Sequence, residues 1–188
     1  MGKAQVLNAL VVIDVQVGFA DPFWGRRCNP KAEENIEVLV STWRSVGQPI
    51  VLVRHDSVSP GSPLRPSQAG NALLPSIDGA HDLFVTKSVN SAFYGTPNLD
   101  AWLKASQIDA LTICGITTNH CCETTARMAG NLGYQVTFAL DATYTFDRIG
   151  PDGTVVPAED LMRATAANLH GEFATITSSA QVCTAVAR

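Results

Sequence analysis

Charge is scarce in this chain: only 16% of its 188 residues are charged, and 17 acidic against 13 basic side chains leave a formal net charge of −4. No basic stripe stands out, so nucleic acid is not expected as a partner. No apolar run reaches membrane-spanning length, so no membrane partner is expected either. Low-complexity tracts and internal repeats are absent. There is no G-x-G-x-x-G and no G-x-x-x-x-G-K-[ST], which removes support for dinucleotide and P-loop readings; no cofactor is expected. The five cysteines, Cys28, Cys114, Cys121, Cys122 and Cys183, form no CxxC pair and no Cys/His spacing typical of zinc. Their odd number in a chain that is not small and loop-rich argues against a disulfide scaffold. Arg54-His55-Asp56 does not supply a metal-binding cluster, and no metal is expected.

What is present fits one globular domain over 1–188, with 46% hydrophobic residues and enough length for a full core. The apolar run from Ala4 to Ile13 ends at Asp14 and Gln16 with no small-residue cleavage site, so it reads as a first strand rather than a signal core. A cytoplasmic enzyme acting on a small molecule is the simplest expectation.

Short runs rich in Val, Ile and Leu predict buried strands at Ala9–Val15, Pro49–Arg54, Asp82–Lys87, Ala110–Ile116, Gln135–Asp141 and Phe173–Thr177. Helical spacing predicts helices over Lys31–Val46, Leu99–Ser106, about His120–Leu132 and Pro157–His170, with Gly47 and Gly133 as C-terminal stops. This alternation predicts a three-layer α/β/α sandwich around a mostly parallel, doubly wound sheet of about six strands. Two long segments, Ser57–Ala80 and Thr143–Val156, break the repeat. Loops of that length are usually functional, so both are expected to border a site.

Ligands of such sheets bind beyond the carboxyl ends of the strands. Asp14 ends the first predicted strand, His55 and Asp56 follow the second, Lys87 ends the third, Cys121 follows the fourth and Asp141 follows the fifth. A thiol in the first turn of a helix is favoured as thiolate by the helix N-terminus, which makes Cys121 a candidate nucleophile. Adjacent helical residues point about 100° apart, and Cys122 shares a face with Ala126 and Ala129, so Cys122 is assigned to the core. Asp14 is either a proton acceptor for the thiol or a structural partner of Lys87. Lys87 is either a charge that stabilises a thiolate or an exposed strand end. His120 is either a base beside Cys121 or a first-turn residue lining a pocket. Backbone N–H groups near Thr117 and at Cys121 could form an oxyanion hole, while Thr118 or Asn119 could simply cap the helix.

These residues resemble the isochorismatase-like cysteine hydrolases, a superfamily that includes nicotinamidases, N-carbamoylsarcosine amidases and ureidoacrylate amidases. The resemblance rests on Val12-Ile13-Asp14-Val15-Gln16-Val17-Gly18-Phe19, on Lys87 with Ser91-Ala92-Phe93, and on Gly115-Ile116-Thr117-Thr118-Asn119-His120-Cys121. It implies an Asp14–Lys87–Cys121 triad, a non-proline cis peptide between Ile116 and Thr117, and oxyanion donors at Thr117 and Cys121. It also implies supporting roles for Gln16 and Asn119, and pocket walls from Phe19, Trp24, Phe93 and His120. Family members usually associate, so a dimer or tetramer is expected. The nicotinamidase branch holds a metal with an Asp and several His after the second strand, a pattern this chain lacks. True isochorismatases lack the nucleophilic cysteine, so Cys121 points to cleavage of an amide, ureide or lactam C–N bond through a thioester. The alternatives are vinyl-ether hydrolysis on the same fold, or a thiol redox sensor or non-catalytic binder.

Overall fold

A computed structural model describes residues 7–187; residues 1–6 and 188, and with them the start of the Ala4–Ile13 run, lie outside the described residues. The strands are β1 (Asn8–Ile13), β2 (Ile50–His55), β3 (Leu83–Lys87), β4 (Ala110–Ile116), β5 (Gln135–Tyr144), β6 (Arg148–Ile149), β7 (Val155–Val156) and β8 (Thr175–Thr177). The α-helices are α1 (Ala32–Val46), α2 (Leu99–Ala105), α3 (Glu123–Asn131), α4 (Ala158–Leu169) and α5 (Ser179–Val186). Six strands form one sheet in the order β3-β2-β1-β4-β5-β8, with every neighbouring pair parallel. β6 and β7 pair separately as an antiparallel hairpin.

Alternation along β1 sorts the core into two layers. Leu10 and Val12 face a cluster with Ile36, Leu39, Val40 and Trp43 of α1 and Val182 of α5. Ala9, Val11 and Ile13 face the other cluster, with Leu99 and Leu103 of α2, Ala126 and Ala129 of α3, and Leu169 of α4. Both faces are therefore covered, which is why the strands read as continuous apolar runs. Gly130 of α3 lies so close to Phe173, in the turn before β8, that an added Cβ would meet its carbonyl oxygen at 2.9 Å.

Several boundaries differ from the sequence expectation. β5 continues past Asp141 to Tyr144, because its register against β4 jumps: Ile113 faces Phe138, whereas Gly115 faces Thr143. The carbonyls freed by this irregularity are held by side chains from the α1 side of the sheet. Asn29 donates to the oxygens of Asp141 and Thr143, and Asn35 donates to that of Asp141. The Asp141 carboxylate accepts from the backbone and hydroxyl of Ser179, so it anchors α5 rather than serving a site. The helix α5 itself was not expected. It is closed at its start by a reciprocal capping box between Ser178 and Gln181. The predicted strand at Phe173–Thr177 is shortened to Thr175–Thr177.

The strand order reverses between β1 and β4, and the crevice at their carboxyl ends is where a ligand site is expected. β4 approaches β1 closely there. Gly115 has φ 129°, and a Cβ on it would lie 2.1 Å from the Ile13 carbonyl oxygen. Backbone cannot yield like a flexible side-chain tip, so Gly115→Ala should destabilise the fold by about 4 kcal/mol or more. Denaturant unfolding checks this; a midpoint close to wild type would contradict the packing described.

Candidate active site

Four strand ends converge at the crevice. Asp14 follows β1 and adopts φ 53°, an uncommon left-handed conformation for a non-glycine residue. Its N–H donates to Val53 of β2 and its carbonyl accepts from Gln16, which fixes the turn. Lys87 is the last residue of β3, and its register partner on β2 is His55. β4 ends at Ile116, followed by a cis Ile116–Thr117 peptide and a single π-helical turn, Thr118–Cys122, that leads into α3. Cys121 thus sits in a widened turn before the α-helix. Thr118 and Asn119 do not cap it: the Thr118 hydroxyl donates to Thr143 Oγ1, and Asn119 Oδ1 accepts from the Thr145 hydroxyl.

The Lys87 ammonium is the centre of the arrangement. It lies 2.5 Å from Asp14 Oδ2, 3.3 Å from Cys121 Sγ and 3.2 Å from His55 Nδ1. An ammonium has three N–H donors, and three acceptors surround this one. Burial pushes the ammonium down, but the Asp14 carboxylate and Cys121 outweigh it, and Lys87 is held above its ordinary value. Burial and the nearby ammonium push His55 down, so it is a neutral imidazole able to accept at Nδ1. Asp14 Oδ1 is buried and has no hydrogen-bond partner among the described residues. Unpaired buried acceptors are rare, and this oxygen is the buried side-chain acceptor left over among the described residues.

The thiol differs from the sequence expectation. Burial pushes the Cys121 thiol well above its ordinary value, the Asp14 carboxylate adds to this, and the Lys87 ammonium does not offset it. The resting group is a protonated thiol, not a thiolate, because desolvation outweighs the opposing charge. Cys122 is fully buried in the core, the place assigned to it from the sequence, and burial pushes its thiol up as well. All five cysteines are free, and Cys114 is completely buried in β4.

A pocket of about 110 Å³ opens above this cluster. Besides Asp14 and Cys121 it is lined by the aromatic group Phe19, Trp24 and Phe146 and by His55, Leu64, Asn90, Thr117, His120, Thr145 and Arg148. Phe19 and Trp24 pack with ring centroids 4.9 Å apart, and Trp24 and Phe146 5.6 Å apart. Trp24 is anchored through its indole N–H on the Gly18 carbonyl. Leu64 comes from the first long loop and Thr145, Phe146 and Arg148 from the second, so both loops border the site. The Thr117 N–H finds no acceptor among the described residues and belongs to a pocket-lining residue.

Three expected pocket residues stand elsewhere. Phe93 is buried in the layer with α2 and α3, where its ring packs on Tyr134 with 5.9 Å between centroids. Gln16 does not line the pocket; its carboxamide donates to the carbonyls of His55 and Asn71 and accepts from the His55 N–H. Asn119 stands behind Thr145. Gln16 and Asn119 therefore position pocket residues. The sequence placed His55 at a strand end without a pocket role, and Leu64, Asn90, Thr145, Phe146 and Arg148 were not singled out from it. The long-loop signal located four of them by region, and the contact of His55 with Lys87 follows from the pairing of β2 with β3.

Asp14, His55 and Cys121 offer donor atoms within 4.8 Å of one another, the metal-type cluster of the described residues. The Lys87 ammonium already lies against all three donors, and a divalent cation there would face a buried positive charge. Asp56, the next carboxylate, is taken by Arg54 in a two-point pair and by Asn71. The residues do not fit a metal.

An isochorismatase domain family model matches residues 8–181. The isochorismatase family protein YrdC of Bacillus subtilis (strain 168) is 39% identical over 176 residues, covering 93% of this chain and 94% of that protein. Nicotinamidase 3 of Arabidopsis thaliana is 30% identical over 182 residues, covering 89% of this chain and 83% of that protein. An isochorismatase-family structure from Chromobacterium violaceum ATCC 12472 superposes with a TM-score of 0.91 at 37% identity, covering 99% of this chain and 96% of that one. The chain belongs to the isochorismatase family.

Asp14→Asn removes the negative charge that favours the thiol, so it should raise the thiolate fraction of Cys121 at any given pH. Iodoacetamide alkylation of Cys121, followed by peptide mass, should start only above the ordinary thiol range in wild type and shift to lower pH in the variant. Fast alkylation of wild type at pH 7, or an upward shift in the variant, would contradict the charge balance.

Proposed function

We propose that this isochorismatase-family chain is a cysteine hydrolase that cleaves a C–N bond of a small amide, ureide or lactam through a thioester on Cys121. The observation that carries the reading is a buried thiol and a buried carboxylate with a free oxygen, held against one ammonium at the floor of a small pocket. At about 110 Å³ the pocket is well below the roughly 300–1,000 Å³ of drug-sized ligand sites, so the occupant is small.

Cys121 Sγ attacks the carbonyl carbon while its proton moves to Asp14. Because the resting thiol is protonated, attack and proton transfer are coupled, and the base is indispensable. Negative charge then develops on the carbonyl oxygen, against the N–H groups of Thr117 and Cys121. Collapse breaks the C–N bond, and Asp14 returns the proton to the leaving ammonia or amine. Water attacks the thioester as Asp14 takes its proton, and the second tetrahedral intermediate releases the acid and restores the thiol. Lys87 stays charged throughout, balancing the carboxylate when it is ionised and the thiolate as it forms or leaves. A redox-sensing role is weakened by the same feature, since sensor thiols are exposed and acidic.

An ammonia-release screen over small amides, ureas and lactams tests the reading. Cys121→Ala should abolish release, and Asp14→Asn should lower kcat by about 10³-fold or more. Retained turnover in Cys121→Ala, or hydrolysis confined to vinyl ethers with no ammonia formed, would overturn it.

A further inference from the structure

Arg148 begins the β6–β7 hairpin, and its guanidinium reaches the pocket mouth. The carboxylates nearest to it along the chain and hairpin are already engaged. Asp147 and Glu159 both pair with Arg26, each through two hydrogen bonds, and Asp147 also accepts from the Ala158 N–H. That network pins the hairpin base and leaves Arg148 without a carboxylate partner among the described residues. Its Nη2 lies 3.3 and 3.2 Å from the two ring nitrogens of His120, so the guanidinium rests against the imidazole. Burial and the Arg148 charge push His120 down, which keeps that ring neutral. Glu123, the acid on the far side of His120, pairs with Arg127 and accepts from Thr165.

The charges around the pocket can then be summed group by group. Asp14 and Lys87 cancel. His55, His120 and the Cys121 thiol are neutral. Of the charged side chains that line the pocket, Arg148 alone is left with no carboxylate or other charged partner in contact among the described residues, so the pocket presents one guanidinium free to take an acid. A planar guanidinium with free N–H groups matches a carboxylate in a two-point contact. The apolar wall of Phe19, Trp24 and Phe146 suits the short carbon linker between the two ends.

We infer that the substrate is a small carboxylic acid bearing the scissile amide or ureide group, with its carboxylate bound by Arg148 and its carbonyl over Cys121. This rests on the C–N hydrolase reading, but the acid subsite can be tested without turnover. Succinamate and succinamide have nearly the same size and share one carboxamide, and at the other end a carboxylate in the first is a carboxamide in the second; N-carbamoylglycine and N-carbamoylglycinamide make a second such pair, and product analysis assigns the bond that is cleaved.

Binding of each pair to the Cys121→Ala protein by calorimetry, and ammonia release by the intact enzyme, form the experiment. The acid should be preferred by about 10- to 100-fold in binding and in kcat/KM, the range of a charge-assisted hydrogen-bonded contact. Arg148→Gln should bring that ratio close to one, mainly through KM, and Arg148→Lys should restore part of it. Arg148-dependent binding of the acids without ammonia release would keep the acid subsite and remove the hydrolase reading. Ammonia release with no acid preference would do the opposite. Equal binding within each pair, no binding of either acid, or an acid preference that survives Arg148→Gln overturns the inference.

Discussion

The ion pair between Lys87 and Asp14 is the constraint on which the site depends. Both side chains are fully buried and 2.5 Å apart. Removing one partner of such a pair leaves an uncompensated charge in the interior and costs about 3–5 kcal/mol. The pair also has a topological consequence. β3 and β1 are not neighbours, because β2 runs between them. Lys87 reaches across the end of β2 to Asp14, passing His55, and touches Cys121 beyond β4. One long side chain therefore ties together the ends of four strands. Gln16 and Asn71 complete the frame by holding the backbone of His55 from both sides.

The same burial that makes the pair strong changes how the thiol behaves. Desolvation disfavours any lone charge, so the cluster is stable with one carboxylate, one ammonium and a neutral thiol. The helix N-terminus and the ammonium were expected to hold a thiolate at rest. They are outweighed, and their favourable charge becomes useful only when the proton has moved to Asp14. The unpartnered Asp14 oxygen is consistent with that role: it is costly to leave unpaired in a folded core and is the atom open to receive a proton.

Much of the fold could be read from the chain because buried parallel strands leave continuous Val, Ile and Leu runs. The residues at their ends, Asp14, Lys87 and Cys121, stood out for the same reason. Other features carry weaker marks. The hairpin at 148–156 has strands of two residues, and α5 is an eight-residue helix rich in Ser, Thr and Ala, so neither shows a clear apolar period. Phe93 lies near Lys87 in sequence but packs on Tyr134 in the core layer, which the motif alone does not reveal. The part played by His55 arises from strand order rather than local sequence. Arg148 is visible as a pocket residue only after Asp147 and Glu159 are seen to be committed to Arg26.

The identity of the nucleophile decides the proposed chemistry. Rapid quenching during turnover of an ammonia-releasing substrate, followed by fragmentation of the peptide containing both Cys121 and Cys122, locates any acyl group directly. An adduct of the substrate's acyl mass is expected on Cys121, formed and lost at rates that support turnover. Turnover with no adduct, or an adduct on Cys122, would contradict it.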